Sequence, residues 1–222
     1  IVLPPASYLH EQEKITQRWP AALHFIRERG LNERFAADVR DFGIILQGGM
    51  YNGVLRALQL LGLADAFGES QVPLYVLNVT YPIVPDELAE FCAGKRAVLI
   101  VEEGQPDFIE QNIVTLLRRA DLQTRVHGKD CLPMAGEYTG GVLRDGLRKF
   151  VERVAPDMLA ERATPVAATP APAVQAAAQQ VHPRPPSFCT GCPERPIFTA
   201  LKLVERELGP HHVSCDIGCH LF

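Results

Sequence analysis

Four of the six cysteines, Cys189, Cys192, Cys215 and Cys219, crowd into the last 34 residues, whereas Cys92 and Cys131 stand alone. A Cys-x-x-Cys turn followed by a distant cysteine gathers soft thiolates, which suit an iron–sulfur cluster or zinc. Gly191 inside the first pair lets the backbone turn so that both sulfurs can face one centre. A structural zinc would take four ligands, and the four cysteines nominally supply them. The spacing from Cys215 to Cys219 is less distinctive, and half-buried cysteines are commonly inert. Iron–sulfur, zinc and inert readings therefore stand open on the chemistry alone. Nothing in the sequence indicates secretion, so a disulfide framework is the less expected use.

Other constellations are weaker. Gly48-Gly49 follows an apolar run and precedes a helical pattern, where backbone N–H groups could meet a phosphate; a tight turn is the simpler reading. Asp216-Ile217-Gly218-Cys219 ends a strand pattern, the place where open α/β sheets bind ligands. Glu102 and Glu103 follow another strand. Adjacent strand residues point to opposite faces, so they do not make an acid–base pair; one of them is expected to bond the next helix. His127-Gly128-Lys129-Asp130 combines a base, a cation and an acid, and is expected to be a polar surface loop. No nucleophile–base pair with a Ser, His and Asp or a Cys and His is evident.

These groups must be held by alternating strands and helices. Short apolar runs at 43–47, 73–79 and 97–102 predict strands, with a further short strand at Thr124-Arg125-Val126. Helical periodicity marks 6–29, the stretch after Gly49, 86–93, 107–120, 140–154 and 196–208. Pro20 is expected to divide the first helix and Gly30 to stop it. Unbroken apolar strands between helices imply an α/β fold with a parallel sheet covered on both faces. Residues 156–185 are rich in Ala and Pro without a hydrophobic period, so they read as a semi-extended linker. Residues 1–39 are then a helical connector, 40–155 one α/β domain, and 186–222 the start of a second.

Composition narrows the classes. With 47% hydrophobic and 22% charged residues, the chain of 222 residues can bury a sizeable core. A net charge of −4 without a Lys/Arg cluster argues against nucleic acid. No apolar run approaches the roughly 20 residues of a membrane span. Ile1-Val2-Leu3-Pro4-Pro5 lacks the basic segment and apolar core of a signal peptide, so a cytoplasmic setting is expected. The chain does not begin with Met and stops at Cys219-His220-Leu221-Phe222, just after an expected strand and glycine turn, so a piece of a longer polypeptide is expected.

At Val101-Glu102-Glu103-Gly104-Gln105-Pro106, backed by Phe108-Ile109-Glu110-Gln111, the sequence resembles the large (alpha) subunit of indolepyruvate:ferredoxin oxidoreductases. The resemblance includes Gly43-Ile44-Ile45-Leu46-Gln47-Gly48-Gly49, Leu77-Asn78-Val79-Thr80-Tyr81-Pro82, His127-Gly128-Lys129-Asp130 and Gly136-Glu137-Tyr138-Thr139. Beyond the linker, Cys189-Thr190-Gly191-Cys192-Pro193-Glu194-Arg195 resembles the family's Cys-Pro-Gly-Cys-Pro-His-Arg, and Asp216-Ile217-Gly218-Cys219 its Asp-Ile-Gly-Cys. Thr190 and Glu194 depart from that pattern. The combination and order of the pieces, rather than any one motif, carry the likeness.

The resemblance implies that 40–155 is a transketolase C-terminal-like domain and that 186–222 begins a thiamine-diphosphate-binding domain. It implies oxidative decarboxylation of indolepyruvate or a related aryl-2-oxoacid to acyl-CoA, with electrons passing to ferredoxin. Thiamine diphosphate, Mg2+ and a [4Fe–4S] cluster are the implied cofactors, and a small beta subunit, ferredoxin, CoA and the 2-oxoacid the partners. Asp216, Ile217, Gly218 and Cys219 fall on the diphosphate side, and Cys189, Cys192 and Cys219 on cluster-ligand positions, with Cys215 left to the core. The segments that would complete the cofactor site are not in this sequence, so the fragment alone is expected to be inactive. The cysteines alone would equally suit a small iron–sulfur or metal-binding electron-transfer module, and the first domain a non-catalytic assembly role.

Overall fold

Three apolar segments, each too short for a buried helix and rich in Val, Ile and Leu, form the centre of the sheet. The structure is a computed structural model, and it describes residues 3–160, Cys192 and 194–212. It divides into two units, Ile1–Val166 and Ala167–Phe222. The first unit runs α1 (Ala6–Glu13), a π-helical turn (Lys14–Arg18), α2 (Trp19–Glu28), β1 (Glu33–Phe35), β2 (Phe42–Gln47) and α3 (Tyr51–Leu60). It continues with β3 (Leu74–Leu77), α4 (Pro85–Cys92), β4 (Ala97–Val101), α5 (Phe108–Arg119), β5 (Arg125–His127), α6 (Gly140–Val154) and α7 (Asp157–Ala160). In the second unit the described helix is α8 (Arg195–Leu208).

The five-stranded sheet has the order β1-β3-β2-β4-β5. β3, β2, β4 and β5 are parallel, as the apolar runs predict, and β1 joins β3 antiparallel. Alternation along each strand splits the core into two layers. Ile44, Leu46, Val76, Leu99 and Val101 face Val54 and Leu58 of α3 and Leu143, Leu147 and Phe150 of α6. Ile45, Tyr75, Leu77, Val98 and Ile100 face Leu88 and Phe91 of α4 and Ile109, Ile113 and Leu117 of α5. Each such fully buried Leu or Ile side chain stabilises by about 2 kcal/mol relative to exposure. Met158 and Leu159 of α7 pack on the first layer.

Pro20 enters α2 near its start, directly after the π-helical turn, and Gly30 takes φ +57° just beyond its end. α2 is tied to α4 by Arg27, which lies 2.7 Å from Asp86 and 3.7 Å from Glu90. Residues 31–33 are fastened to the sheet by polar side chains. Asn78 Nδ2 donates to the Leu31 carbonyl at 2.9 Å, and the buried Asn32 accepts from Val79 N at 3.0 Å. Tyr75 donates its hydroxyl to Glu87 at 2.9 Å; burial first, and that carboxylate second, push the phenol well above its ordinary range. Among the described residues no helix is long and apolar enough to cross a membrane. Of the expected linker at 156–185, Asp157–Ala160 form α7, and residues 161–185 lie outside the described residues.

Candidate functional site

The chain direction reverses along the sheet after β3. β2 is followed by α3 on one face and by β3 on one side; β4 then lies on the other side of β2 and is followed by α5 on the opposite face. Such a reversal opens a crevice at the carboxyl ends of the two strands, here β2 and β4, and is the usual ligand position in open α/β sheets. Each element delivers a polar residue there: Gln47 from β2, Asn78 after β3, Glu102 and Glu103 after β4, and His127 from β5.

The two glutamates diverge, as strand alternation requires. Glu102 is 5% exposed and turns to α5, accepting from Ile109 N at 3.0 and 3.1 Å and from Glu110 N at 3.1 Å. Asp107, at the helix start, makes no side-chain cap, so Glu102 satisfies the orphan donors and faces the positive end of the helix dipole. Glu103 accepts from Tyr138 N at 3.0 Å, and its own N–H donates to Gln47 Oε1 at 2.9 Å. That last bond spans the mouth of the crevice. Gly48-Gly49 opens a 3-10 turn into α3, the tight turn expected; a Cβ on Gly48 would stand 2.4 Å from Asn78 Oδ1.

His127-Gly128-Lys129-Asp130 is a surface loop only in part: Asp130 is exposed and Lys129 half-buried, whereas His127 and Gly128 are buried. His127 is 4% exposed. Its Nδ1 pairs with Asp130 Oδ2 at 2.8 Å, and Asp130 also accepts from Gly128 N at 2.9 Å and from Arg153 of α6. Burial alone would raise the Asp130 carboxyl, but His127, Gly128 N and Arg153 together hold it well below the usual carboxylate range. Lys129 extends its ammonium to the Glu102 carbonyl, to the Gly104 carbonyl at 2.9 Å and to Tyr138 Oη at 2.8 Å. Its N–H donates to Glu110 at 3.0 Å, and a Cβ on Gly128 would meet the same carboxylate at 2.0 Å. His127 is buried against its neighbour Asp130, and Lys129 against the Glu102 and Gly104 carbonyls, which are far away in sequence and which spacing alone cannot reveal.

His127, Asp130 and Cys131 bring potential metal-ligand atoms within 4.8 Å of one another. The position is already served by a cation: Arg153 Nη1 reaches Asp130 and lies 3.5 Å from Cys131 Sγ. Lys149 adds a second positive charge on the Asp130 carbonyl. Burial, then the Asp130 charge, push the Cys131 thiol up to about 11, so it is a neutral thiol at neutral pH. A divalent ion there would have to displace a guanidinium, and the donor set does not fit one. The carboxyl edge thus holds partnered polar side chains whose evident work is to bind strand ends and helix starts together.

Of the residues singled out from sequence, Cys189, Asp216, Ile217, Gly218 and Cys219 lie outside the described residues. Cys192 is described: a half-buried free cysteine whose carbonyl accepts from Arg195 N at 3.3 Å at the start of α8. Sequence reading missed the roles of Lys129, Tyr138 and Arg153, since each acts on a partner in another element.

Comparison with known proteins adds an independent line. Curated proteins named indolepyruvate oxidoreductase subunit IorA are similar to this chain. That of Methanothermobacter thermautotrophicus is 31% identical over 186 residues, which cover 81% of this chain and 26% of the relative. That of Thermococcus kodakarensis is 32% identical over 179 residues, 80% of this chain and 25% of the relative. That of Archaeoglobus fulgidus is 32% identical over 187 residues, 81% of this chain and 26% of the relative. The chain spans about a quarter of the length of the curated relatives it matches. No protein-family model matches it.

Proposed function

We propose, from a chain that is a relative of the indolepyruvate oxidoreductase subunit IorA proteins, that it forms a portion of the large subunit of a thiamine-diphosphate-dependent 2-oxoacid:ferredoxin oxidoreductase. The observation that carries this reading is the extent of the match. The match covers 81% of the chain, more than residues 40–155 by themselves. A match longer than residues 40–155 alone is expected of one subunit type and not of a shared fold alone.

In this reading residues 40–155 are a transketolase C-terminal-like domain whose task is structural. The paired state of Glu102, Glu103, Lys129, His127 and Asp130 supports a scaffold, since each group that could move a proton is committed to a helix end, a loop or another charge. Residues 186–222 begin the diphosphate-binding domain, with Asp216, Ile217, Gly218 and Cys219 on the cofactor. Cys189, Cys192 and Cys219 are the proposed [4Fe–4S] ligands, and lining of the diphosphate pocket is the simpler role they would otherwise have. Cys192 fits a ligand position in being free, partly accessible and placed at a turn before a helix.

The proposed reaction is oxidative decarboxylation of indolepyruvate or a related aryl-2-oxoacid in the cytoplasm. Carbon dioxide leaves, the acyl group passes to CoA, and two electrons pass to ferredoxin. Thiamine diphosphate with Mg2+ supplies the carbanion stabilisation when bound, and the protein supplies orientation and insulation. A small beta subunit is the expected partner. The test is to express a relative-length polypeptide that carries this sequence together with its small subunit and purify it without oxygen. Indolepyruvate- and CoA-dependent ferredoxin reduction that requires added thiamine diphosphate is the expected result. Ferredoxin reduction independent of thiamine diphosphate, or none with any aryl-2-oxoacid, would overturn the reading.

A further inference from the structure

The amino end of the sheet, opposite the crevice, carries a groove of about 410 Å³ between the segment after β1 and the end of α4. Its walls include Phe35, Pro73 and Phe91, and three cations line it: Arg34, Arg40 and Lys95. The one carboxylate in the groove, Glu90, is already committed. Arg34 bonds it at 2.8 Å and Arg27 approaches at 3.7 Å. The Arg34 hydrogen bond, then the charges of Arg34 and Arg27, hold that carboxyl below its usual range, so it is anionic and spent on those two. Arg40 and Lys95 form no ion pair among the described residues, and the groove keeps an excess of two positive charges.

Lys95 is not a free surface lysine. It is half-buried, with its ammonium 4.6 Å from the centre of the Phe91 ring. Burial lowers its affinity for the proton, an effect that the neighbouring Cys92 opposes. Gly43 of β2 makes the room: a Cβ there would stand 2.9 Å from Phe91 Cζ and 3.1 Å from Lys95 Cε. A partly desolvated ammonium without a counter-ion is unfavourable until an anion arrives. The neighbouring depression of about 500 Å³, across the same segment, contains Asp38 and Glu69 with Arg34 as its only cation. The positive excess is therefore local to one groove.

We propose that this groove binds a phosphate-bearing small molecule with a flat apolar body, its phosphate held between Arg40 and Lys95 and its body against Phe35, Pro73 and Phe91. Two uncompensated cations match a phosphate of charge about −1.5 to −2 better than a singly charged carboxylate. A guanidinium fork beside an ammonium suits phosphate oxygens, as a bidentate donor next to a point charge. The size lies within the range of small-ligand sites. The inference rests on the groove alone and stands whether or not the oxidoreductase reading holds.

The test is calorimetric titration of the whole 222-residue chain at low ionic strength with ADP, pyrophosphate and adenosine as probes. Saturable one-to-one binding of ADP is expected, weaker binding of pyrophosphate, and none of adenosine. The double variant Arg40→Gln/Lys95→Gln should weaken ADP by roughly a hundredfold, about tenfold for each lost charge-assisted contact. Its melting temperature should stay within a few degrees of the parent value, since neither residue forms an ion pair among the described residues and Lys95 gives up only its contact with the Phe91 ring. Arg119→Gln/Arg148→Gln, which removes the same charge from exposed positions elsewhere, should bind ADP as the parent does. Failure of both ADP and pyrophosphate to bind, equal loss in the two double variants, or adenosine binding as tightly as ADP would each overturn the proposal. Equal affinities for ADP and pyrophosphate would overturn the part assigned to the apolar wall.

Discussion

Truncating Glu102 separates a structural carboxylate from a chemical one. Its two oxygens serve Ile109 N and Glu110 N within 3.1 Å, and the side chain is buried at the amino end of a 12-residue helix. Glu102→Ala leaves two N–H donors without their acceptor and removes a negative charge from the helix start. Losing a cap costs about 1 kcal/mol, and a buried donor stripped of a charged partner about 1–3 kcal/mol. Water admitted to the vacated space recovers part of this, which places the loss at about 3 kcal/mol. Glu102→Gln keeps one acceptor oxygen and the side-chain volume, so about 1–2 kcal/mol is expected from the lost charge and second oxygen. Urea unfolding followed by circular dichroism reads both. For a unit of this size, about 3 kcal/mol corresponds to a fall of roughly 6–12 °C in Tm. An alanine variant within about 0.5 kcal/mol of the parent would refute the capping argument. A glutamine variant as unstable as the alanine would show that charge alone matters.

Further outcomes follow from the same contacts. Gly128→Ala should destabilise by about 1–3 kcal/mol, because its methyl would enter the Glu110 carboxylate; melting curves check it, and an unchanged Tm would mean that Glu110 moves freely aside. Burial pushes the Cys131 thiol up to about 11 and the Cys92 thiol up to about 12. At pH 8 iodoacetamide should therefore spare both in the native chain and modify both in urea, as read by peptide mass spectrometry; native labelling of Cys92 would contradict its burial. Asp130 has its carboxyl held below the unfolded value, so its ion pairs stabilise above about pH 4 and fade as pH falls further through the folded value. Asp130→Asn should accordingly be less stable than the parent at pH 7, with the gap narrowing below about pH 4; a gap constant with pH would show that charge is not the cause.

How much could be read in advance follows from the range of the interactions involved. The runs at 42–46 and 97–101 are legible as strands because their apolar continuity is a local property, and α6 at Gly140–Val154 because its period is. The divergence of Glu102 and Glu103 was legible for the same reason: adjacent side chains on a strand cannot face one way. β1 was not legible. Its three residues, Glu33–Phe35, are all exposed and have no pattern; they pair because Asn78 and Asn32 pin the preceding turn to β3. In His127-Gly128-Lys129-Asp130 the burial of His127 and Gly128 was missed because a short run of polar residues around a glycine carries no local sign of burial. Their partners, Glu110, Tyr138 and Arg153, lie on other elements, and only the packed sheet brings them within hydrogen-bond reach. The sequence by itself determined the central strands, the helices that pack on them and which faces turn inward, since backbone period and side-chain apolarity are short-range. Tertiary structure alone decided which charges meet, because the cost of burying an ion is settled by partners that the chain positions only after it has folded.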